Sequence, residues 1–310
     1  MRVAFVGKGG SGKSTIAALF AHSRILRTES VLAFDADINM HLPALLGIPA
    51  PEPTMHLSHA ATATAIRSAL MATNPRIESL KHFVKSTPPT RTSPRITSTD
   101  PTLLLPYLTG TQYLKVGVVG SYEEESIGAS CYHNNLAILE NILSHIDDRD
   151  GWVIADMVAG VDAFSNTLHA QFDILALIVE PTQRSIGVWT QYYALAQSAG
   201  VAEYVCVLGN KVRSDEDVAL LKQSISDANL LGYIREDPAV RASDRSGSPL
   251  QSSALLPENM RLLEDLATRA RASRAHETRT ERLHALHRTY VAQTYIAERL
   301  GDLTHQIEEG

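Results

Sequence analysis

The sequence predicts an α/β protein. Its sheet is mostly parallel, helices flank both faces, and a helical extension follows at the C-terminal end. Three observations carry this expectation. Short apolar runs rich in β-branched and aromatic residues recur along the chain, helical stretches separate most of them, and glycine-rich or acidic residues follow several of the runs directly. Alternating strands and helices imply a parallel sheet covered on both sides. In such sheets ligands bind at the carboxyl ends of the strands.

The elements follow in order. "RVAFV" (Arg2 to Val6) reads as a buried strand, followed by a glycine-rich turn and the helical "STIAALFAHSRIL". "SVLAFDAD" is a second strand ending in acidic residues, "LKVGVVG" a third and "GWVIADMVAG" a fourth. "DILALIVEPT" and "EYVCVLGNKV" are the fifth and sixth, and "NNLAILENILSHI" and "DEDVALLKQSISDA" are helices between strands. Residues 51–110 break the rhythm with many Pro, Thr and Ser. They read as an insertion holding one helix ("TATAIRSALMAT") and a long irregular, mobile segment. From Pro257 the chain has helical spacing and no strand signal. The expected division is a domain over 1–256, with its insertion at about 51–110, and a helical extension over 257–310.

Composition narrows the function classes. Of 310 residues, 44% are hydrophobic and 20% charged, ordinary values for a globular protein. The net charge of −6 argues against a general nucleic-acid binder. Two cysteines, Cys131 and Cys206, exclude a disulfide scaffold and fit a reducing cytosol. No apolar run approaches the ~18 residues of a membrane span, and "MRVAFVGKGG" enters a strand without a secretory leader. A cytoplasmic location is the expectation.

The chemistry is concentrated in a few strings. "GKGGSGKST" (Gly7 to Thr15) satisfies the G-x-x-x-x-G-K-[ST] phosphate-loop pattern between a strand and a helix. Its glycines let the backbone curl so that N–H groups face phosphate oxygens. Gly9, Gly10, Ser11, Gly12, Lys13, Ser14 and Thr15 are the expected nucleotide contacts. Lys13 would neutralise the β- and γ-phosphates, and the Ser14 hydroxyl would ligate Mg²⁺. Asp35 and Asp37 of "DADIN" follow the second strand, where carboxylates orient an attacking water or hold Mg²⁺ through water. Asp156 of "ADMVAG" follows the fourth. In "GNKV" the Asn210 amide can bond the polar edge of a purine, with Lys211 beside it. Guanine readers place an aspartate two positions after this lysine; Arg213 stands there, which favours ATP/ADP over guanine nucleotides.

With these residues in view, "KGGSGKST" resembles the deviant Walker A motif of the class that includes MinD and ParA partition ATPases, the nitrogenase iron protein and maturation ATPases. The resemblance implies a P-loop NTPase fold of the SIMIBI type. It also implies that Lys8 reaches across an ATP-dependent homodimer to the partner's phosphates, as an arginine finger does elsewhere. "DADIN" resembles the switch I of that class, with Asp37 positioning the water and Asp35 supporting the metal shell. "DMVAG" resembles the D-M-x-A-G of nickel-insertion ATPases of the CooC type, which serve carbon monoxide dehydrogenase. Asp156 would then bind Mg²⁺ through water, and the Gly160 N–H would sense the γ-phosphate. "VEPTQRS" matches the same group, with no chemistry assigned. "REDPAV" resembles the segment flanking the adenine, which adds Asp237 and Pro238. Those ATPases carry C-x-C near the dimer axis. Here Cys131-Tyr132-His133 stands in that place, and one pair from each subunit would give an S₂N₂ site suited to Zn²⁺ or Ni²⁺.

The resemblance covers about residues 1–255 apart from the insertion. It implies a slow, dimeric switch ATPase acting as a metal-insertion or maturation factor on an unidentified client. The alternative is a MinD/ParA-like positioning ATPase on a membrane or DNA. MinD-like chains end in a basic amphipathic helix, whereas this one ends in the acidic "DLTHQIEEG". Arg269, Arg271, Arg274 and Arg279 leave weak DNA binding open. An iron-protein-like reductase is discounted, because Cys206 lies in an apolar run and cannot join Cys131. His284 and His287 share a helix face, which reads as solvated.

Overall fold

In a computed structural model of the chain, the described residues are 1–121, 135–161, 164, 167–250 and 252–308. The chain begins with β1 (Arg2–Gly7), α1 (Lys13–Ile25), β2 (Val31–Ala36), α2 (Leu42–Leu45) and α3 (Ala60–Met71). It continues through β3 (Ile96–Thr97), β4 (Thr109–Gly110), β5 (Leu114–Val118), α4 (Leu136–Ser144), β6 (Ile146–Asp147) and β7 (Trp152–Met157). β8 (Ile174–Val179), α5 (Gln183–Ser198), β9 (Val205–Val212), α6 (Asp215–Ser224), β10 (Leu230–Arg235) and α7 (Pro238–Ser246) complete the sheet region. Three helices, α8 (Pro257–Ala272), α9 (Ala275–Val291) and α10 (Thr294–Leu300), form the C-terminal part.

Eight of these strands form one sheet in the order β10-β9-β8-β1-β7-β2-β5-β4. Every pairing in it is parallel except that of β4 with β5, so the expected fold class is observed. The six anticipated strands are all present. β10 joins them at the edge beside β9, and β3 pairs with β6 in a separate two-stranded ribbon.

β1 is the middle of the sheet and is buried along its whole length. Successive side chains of a strand point to opposite faces, and the packing follows that rule. Val3 and Phe5 join Ile16, Phe20, Trp152 and Leu263 on one face, while Ala4 and Val6 join Leu139, Leu175 and Trp189 on the other. Phe20 meets Trp152 edge-to-face at 5.2 Å, an arrangement favoured by ring quadrupoles. The two cores clamp β1, and with it the loop that leaves its carboxyl end.

The region after Pro257 is helical, as expected. α8 packs its Leu262, Leu263, Leu266, Ala267 and Ala270 into the same core as α1. The proposed boundary at 256/257 therefore falls at the start of a helix that shares the sheet's core. The irregular part of the insertion is pinned rather than loose. The Ser86 hydroxyl meets His287 Nδ1 at 3.0 Å, the Thr87 hydroxyl donates to Gln306 Oε1 at 2.9 Å, and Arg76 donates to the His305 carbonyl at 2.7 Å. His287 is fully buried, and its Nε2 lies 3.1 Å from the Leu303 carbonyl. The expectation of a solvated His284/His287 face fails at His287: it is the hydrogen-bonded centre of the contact between the extension and the insertion.

Candidate nucleotide site

β1 ends at Gly7, and the chain turns through Lys8–Gly12 into α1. Gly7 has φ 142° and lies so close to β8 that a Cβ there would sit 2.6 Å from the Ile178 carbonyl oxygen. Gly12 adopts the left-handed conformation (φ 95°), and a Cβ there would meet Asn210 Nδ2 at 2.4 Å. Only glycine satisfies both demands.

The start of α1 differs from those of α5, α6 and α7, while α2, α3, α4, α8, α9 and α10 also lack a side-chain cap. Thr182, Ser214 and Asp237 accept backbone N–H groups at the N-termini of α5, α6 and α7. α1 has no side-chain cap and no acidic residue in its first turn. Its N–H groups and the positive end of its dipole are left facing a cavity, an arrangement that favours an anion. That cavity, about 740 Å³, is lined by Gly9, Gly10, Gly12, Lys13, Ser14 and Thr15 together with Asp37, Asn39, His41 and Lys211. Its outer wall is the C-terminal end of α7, at Ser243, Asp244 and Gly247, which sequence reasoning missed.

Behind the loop stand three carboxylates. Asp35 of β2 and Asp156 of β7 are register partners on adjacent strands, and both are fully buried. Asp35 accepts the N–H groups of Asp37 and Leu42 at 3.1 and 2.9 Å. Burial pushes its pKa up to about 7, with a smaller contribution from Asp37 in the same direction. Among the described residues neither oxygen of Asp156 has a partner with full hydrogen-bond geometry, and the Ser14 hydroxyl is the polar group that approaches it. Burial, then Asp35, raise its pKa well above the carboxylate range, while the Ser14 hydroxyl and Lys13 act in the opposite sense. Asp37 accepts the backbone and side-chain N–H groups of Asn39 at 3.0 and 2.8 Å, and its Oδ2 lies 3.7 Å from Lys13 Nζ.

Buried, unpartnered carboxylate oxygens are costly unless a cation meets them. The position of Asp156 beside Ser14 therefore fits a divalent cation. Among the described residues no group of three or more His, Cys, Asp or Glu could hold a metal by itself.

Not every anticipated residue reaches the cavity. Asn210 donates to the Ser11 carbonyl at 2.7 Å and so braces the loop from behind. Lys211, in the left-handed region at φ 58°, donates to the Gly10 carbonyl at 2.6 Å and to Glu180 Oε1 at 2.7 Å. A non-glycine residue held there costs on the order of 1 kcal/mol, a strain typical of functional sites. The Gly160 N–H donates to the Gly7 carbonyl at 3.0 Å. Asp237 and Pro238 start α7, away from the cavity lining. The Asp237 carboxylate holds Ala239 N, Leu256 N and Asn259 Nδ2, each at 2.9 Å. Lys8 lies at the rim, 3.9 Å from Glu180 Oε2. Glu180, read from sequence as a residue without chemistry, thus gathers two of the site's lysines. Its place at the end of β8, among the strand ends that carry the other site residues, is the signal that could have found it.

Cys131 and His133 lie outside the described residues. Cys206 is buried in β9, where burial pushes its thiol up to about 11, consistent with a packing role. The four arginines of the extension that the sequence singles out are engaged within the chain. Arg269 bonds the Ala228 carbonyl, Arg271 pairs with Glu29, Arg274 with Glu277, and Arg279 with Asp148 and Asp173. Among the described residues, no helix is long and apolar enough to cross a membrane.

A glycine loop between a parallel strand and an uncapped helix, with lysine before it and aspartates behind, defines a P-loop nucleotide-binding protein. The chain belongs to the CobQ/CobB/MinD/ParA nucleotide binding domain family, which it matches over residues 3–250. It is 28% identical over 248 residues to the carbon monoxide dehydrogenase accessory protein CooC of Rhodospirillum rubrum, covering 80% of this chain and 88% of that protein. It is 27% identical over 259 residues to an uncharacterized ATP-binding protein of Methanocaldococcus jannaschii, covering 81% and 91%. Among solved structures, a ParA family ATPase of Chlorobium tepidum superposes with TM-score 0.56 at 19% identity, over 86% of this chain and 98% of that one. The cell division ATPase MinD of Pyrococcus furiosus gives 0.54 at 20% identity, over 86% and 98%. The fold here is that of these two solved ATPases.

Proposed function

We propose that the protein is an ATP-dependent dimeric switch ATPase that serves as a metal-insertion or maturation factor. The observation that carries the ATPase reading is the conjunction at α1: an uncapped helix start, buried Lys13, and the unpartnered Asp156 carboxylate beside Ser14. Mg²⁺, when bound, would supply positive charge against the negative charge that gathers during phosphoryl transfer. Ser14 and Asp156 would hold it, with Asp35 behind them. Lys13 would meet the β- and γ-phosphate oxygens. Asp37, hydrogen-bonded to Asn39, would orient the attacking water.

The maturation reading is supported by the 28% identity to CooC and by the D-M-x-A-G and V-E-P-T strings. The competing DNA-positioning reading loses its support in the extension, where each arginine that suggested it already has a partner in the chain.

The test is single-turnover hydrolysis of ATP by the wild type and Asp37→Ala. The variant should bind ATP normally and turn it over at least tenfold more slowly, accumulating an ATP-bound dimer. Hydrolysis at the parental rate would remove Asp37 from the mechanism. Metal analysis of protein purified with and without ATP, for wild type and for Cys131→Ser with His133→Ala, tests the maturation role. Identical metal content in all samples would sink it.

A further inference from the structure

Away from the nucleotide cavity, a second cavity of about 300 Å³ lies between the insertion and the C-terminal helices. The functional motifs account for neither of these regions. Four cations line it: Arg67 from α3, Lys81 and Lys85 from the segment that follows, and Arg299 from α10. Tyr290 and Tyr295 complete its polar wall, and among the described residues no carboxylate lines it. Among the described residues, none of the four cations forms an ion pair with an acidic side chain. By contrast, Arg269, Arg271, Arg274 and Arg279 have partners within the chain.

The cluster is built, not merely assembled from loose surface lysines. Asn141 is fully buried in α4. Its Oδ1 accepts from Arg67 Nε at 2.9 Å, and its Nδ2 donates to the Val84 and Lys85 carbonyls at 3.0 and 3.1 Å. One buried amide therefore sets both a guanidinium and the backbone that carries a lysine. Lys85 Nζ lies over the Tyr290 ring, 5.0 Å from its centroid. The segment is then locked to α9 through Ser86 and His287. Glu140, a buried carboxylate on α4, does not line the cavity; its Oε2 accepts from the Thr167 N–H and hydroxyl, and Lys85 favours its charged form.

Like charges gathered in one concavity repel, so a fold that fixes them there carries a cost that a bound anion offsets. Guanidinium and ammonium donors together suit phosphate oxygens. The volume sits at the small end of ligand pockets, about 300–1,000 Å³. We propose that this cavity binds a small phosphorylated molecule carrying two or more negative charges. The proposal does not depend on the ATPase reading, because no residue is shared between the two sites.

Inorganic pyrophosphate, without divalent metal, is the probe. Titration calorimetry would compare the Lys13→Ala protein, in which the P-loop is weakened, with the same protein also carrying Lys81→Gln and Arg299→Gln. Lys81 and Arg299 are exposed, so the substitutions leave packing intact, and coincident thermal unfolding curves confirm it. The expected result is saturable binding to Lys13→Ala that weakens at least tenfold when Lys81 and Arg299 are neutralised. Two results overturn the proposal: no pyrophosphate binding once Lys13 is removed, or binding indifferent to Lys81 and Arg299. A glutamate-rich peptide run in parallel separates a protein partner. Peptide binding that needs Lys81 and Arg299, with pyrophosphate silent, would also overturn the small-molecule assignment.

Discussion

Lys8 Nζ lies 3.9 Å from Glu180 Oε2, and the other oxygen of the same carboxylate accepts from Lys211 Nζ at 2.7 Å. One acid at the end of β8 thus holds the rim lysine of the P-loop and the lysine that grips the Gly10 carbonyl. If Lys8 serves a partner subunit's phosphates, Glu180 is what it must leave.

Lys8→Ala should keep ATP binding, since Lys13 and the loop amides remain, and lose ATP-dependent dimerisation together with hydrolysis. Glu180→Gln should act in the opposite sense on dimerisation. A partly exposed pair of this kind is worth about 0.2–1 kcal/mol and two are broken in each symmetric dimer, so the shift toward dimer should be no more than about thirtyfold. Ultracentrifugation of each variant with ADP and with a slowly hydrolysed ATP analogue measures both. A Lys8→Ala protein that dimerises and turns over ATP normally would make Lys8 a bystander.

Lys13→Ala should weaken ATP binding tenfold or more. Lys13 is buried beside the loop, and a hydrogen bond to a charged group contributes about 1.5–3 kcal/mol. Titration with a fluorescent ATP analogue gives the number. GTP competing as well as ATP against that analogue would contradict the adenine preference inferred from Arg213.

Much of this site was legible because its chemistry sits in contiguous strings. Each string lies at the end of a short apolar run rich in β-branched residues, which reads as a buried strand when helical stretches flank it. β10 escaped notice because it lies at the edge, is mostly half-buried, and carries Gly232 in its middle, so neither alternation nor a continuous apolar run marks it. Glu180 and the α7 wall escaped for a different reason. Their roles come from tertiary approach, with Glu180 meeting Lys8 of the phosphate loop and Lys211 of β9, and α7 turning its C-terminal end toward the phosphate loop. Asp237 and Asn210 illustrate the converse. Residue type suggested ligand contacts, and the fold directs their polar atoms to Leu256, Asn259 and Ser11. His287 looked solvated because spacing alone cannot reveal that another segment covers a helix face.

His145 makes the protein acid-sensitive within a defined window. Burial lowers its pKa to about 4, against the opposing hydrogen bond at 2.7 Å between Nδ1 and the Asn141 carbonyl. The unfolded chain takes up this proton near pH 6.5, whereas the folded chain resists it until about pH 4. Between those values the unfolded state binds more protons, so stability falls as pH falls, with a slope of up to about 1.4 kcal/mol per pH unit from this residue. Urea unfolding from pH 7.5 to 4.5 should show the decline, and His145→Gln should flatten it. An unchanged slope in the variant would assign the acid sensitivity elsewhere.

The last prediction concerns the join between the extension and the insertion. His287 is fully buried and bridges the Ser86 hydroxyl and the Leu303 carbonyl. Beside it, Val291, Ile296 and Leu303 form a small apolar cluster with Val84. This cluster is separate from the two cores on the sheet, so weakening it should loosen the join without unfolding the domain. His287→Ala removes both hydrogen bonds and leaves a buried carbonyl and hydroxyl unmet, at about 1–3 kcal/mol each. Hydrogen exchange of residues 80–93 and 287–306 should therefore accelerate by at least tenfold, while exchange in β1 and β7 stays at the parental rate. The physical content is cooperativity: if the insertion and extension fold as one unit, their amides accelerate together. Acceleration confined to α9 and α10, with residues 80–93 still protected, would show that the insertion is held by the sheet alone.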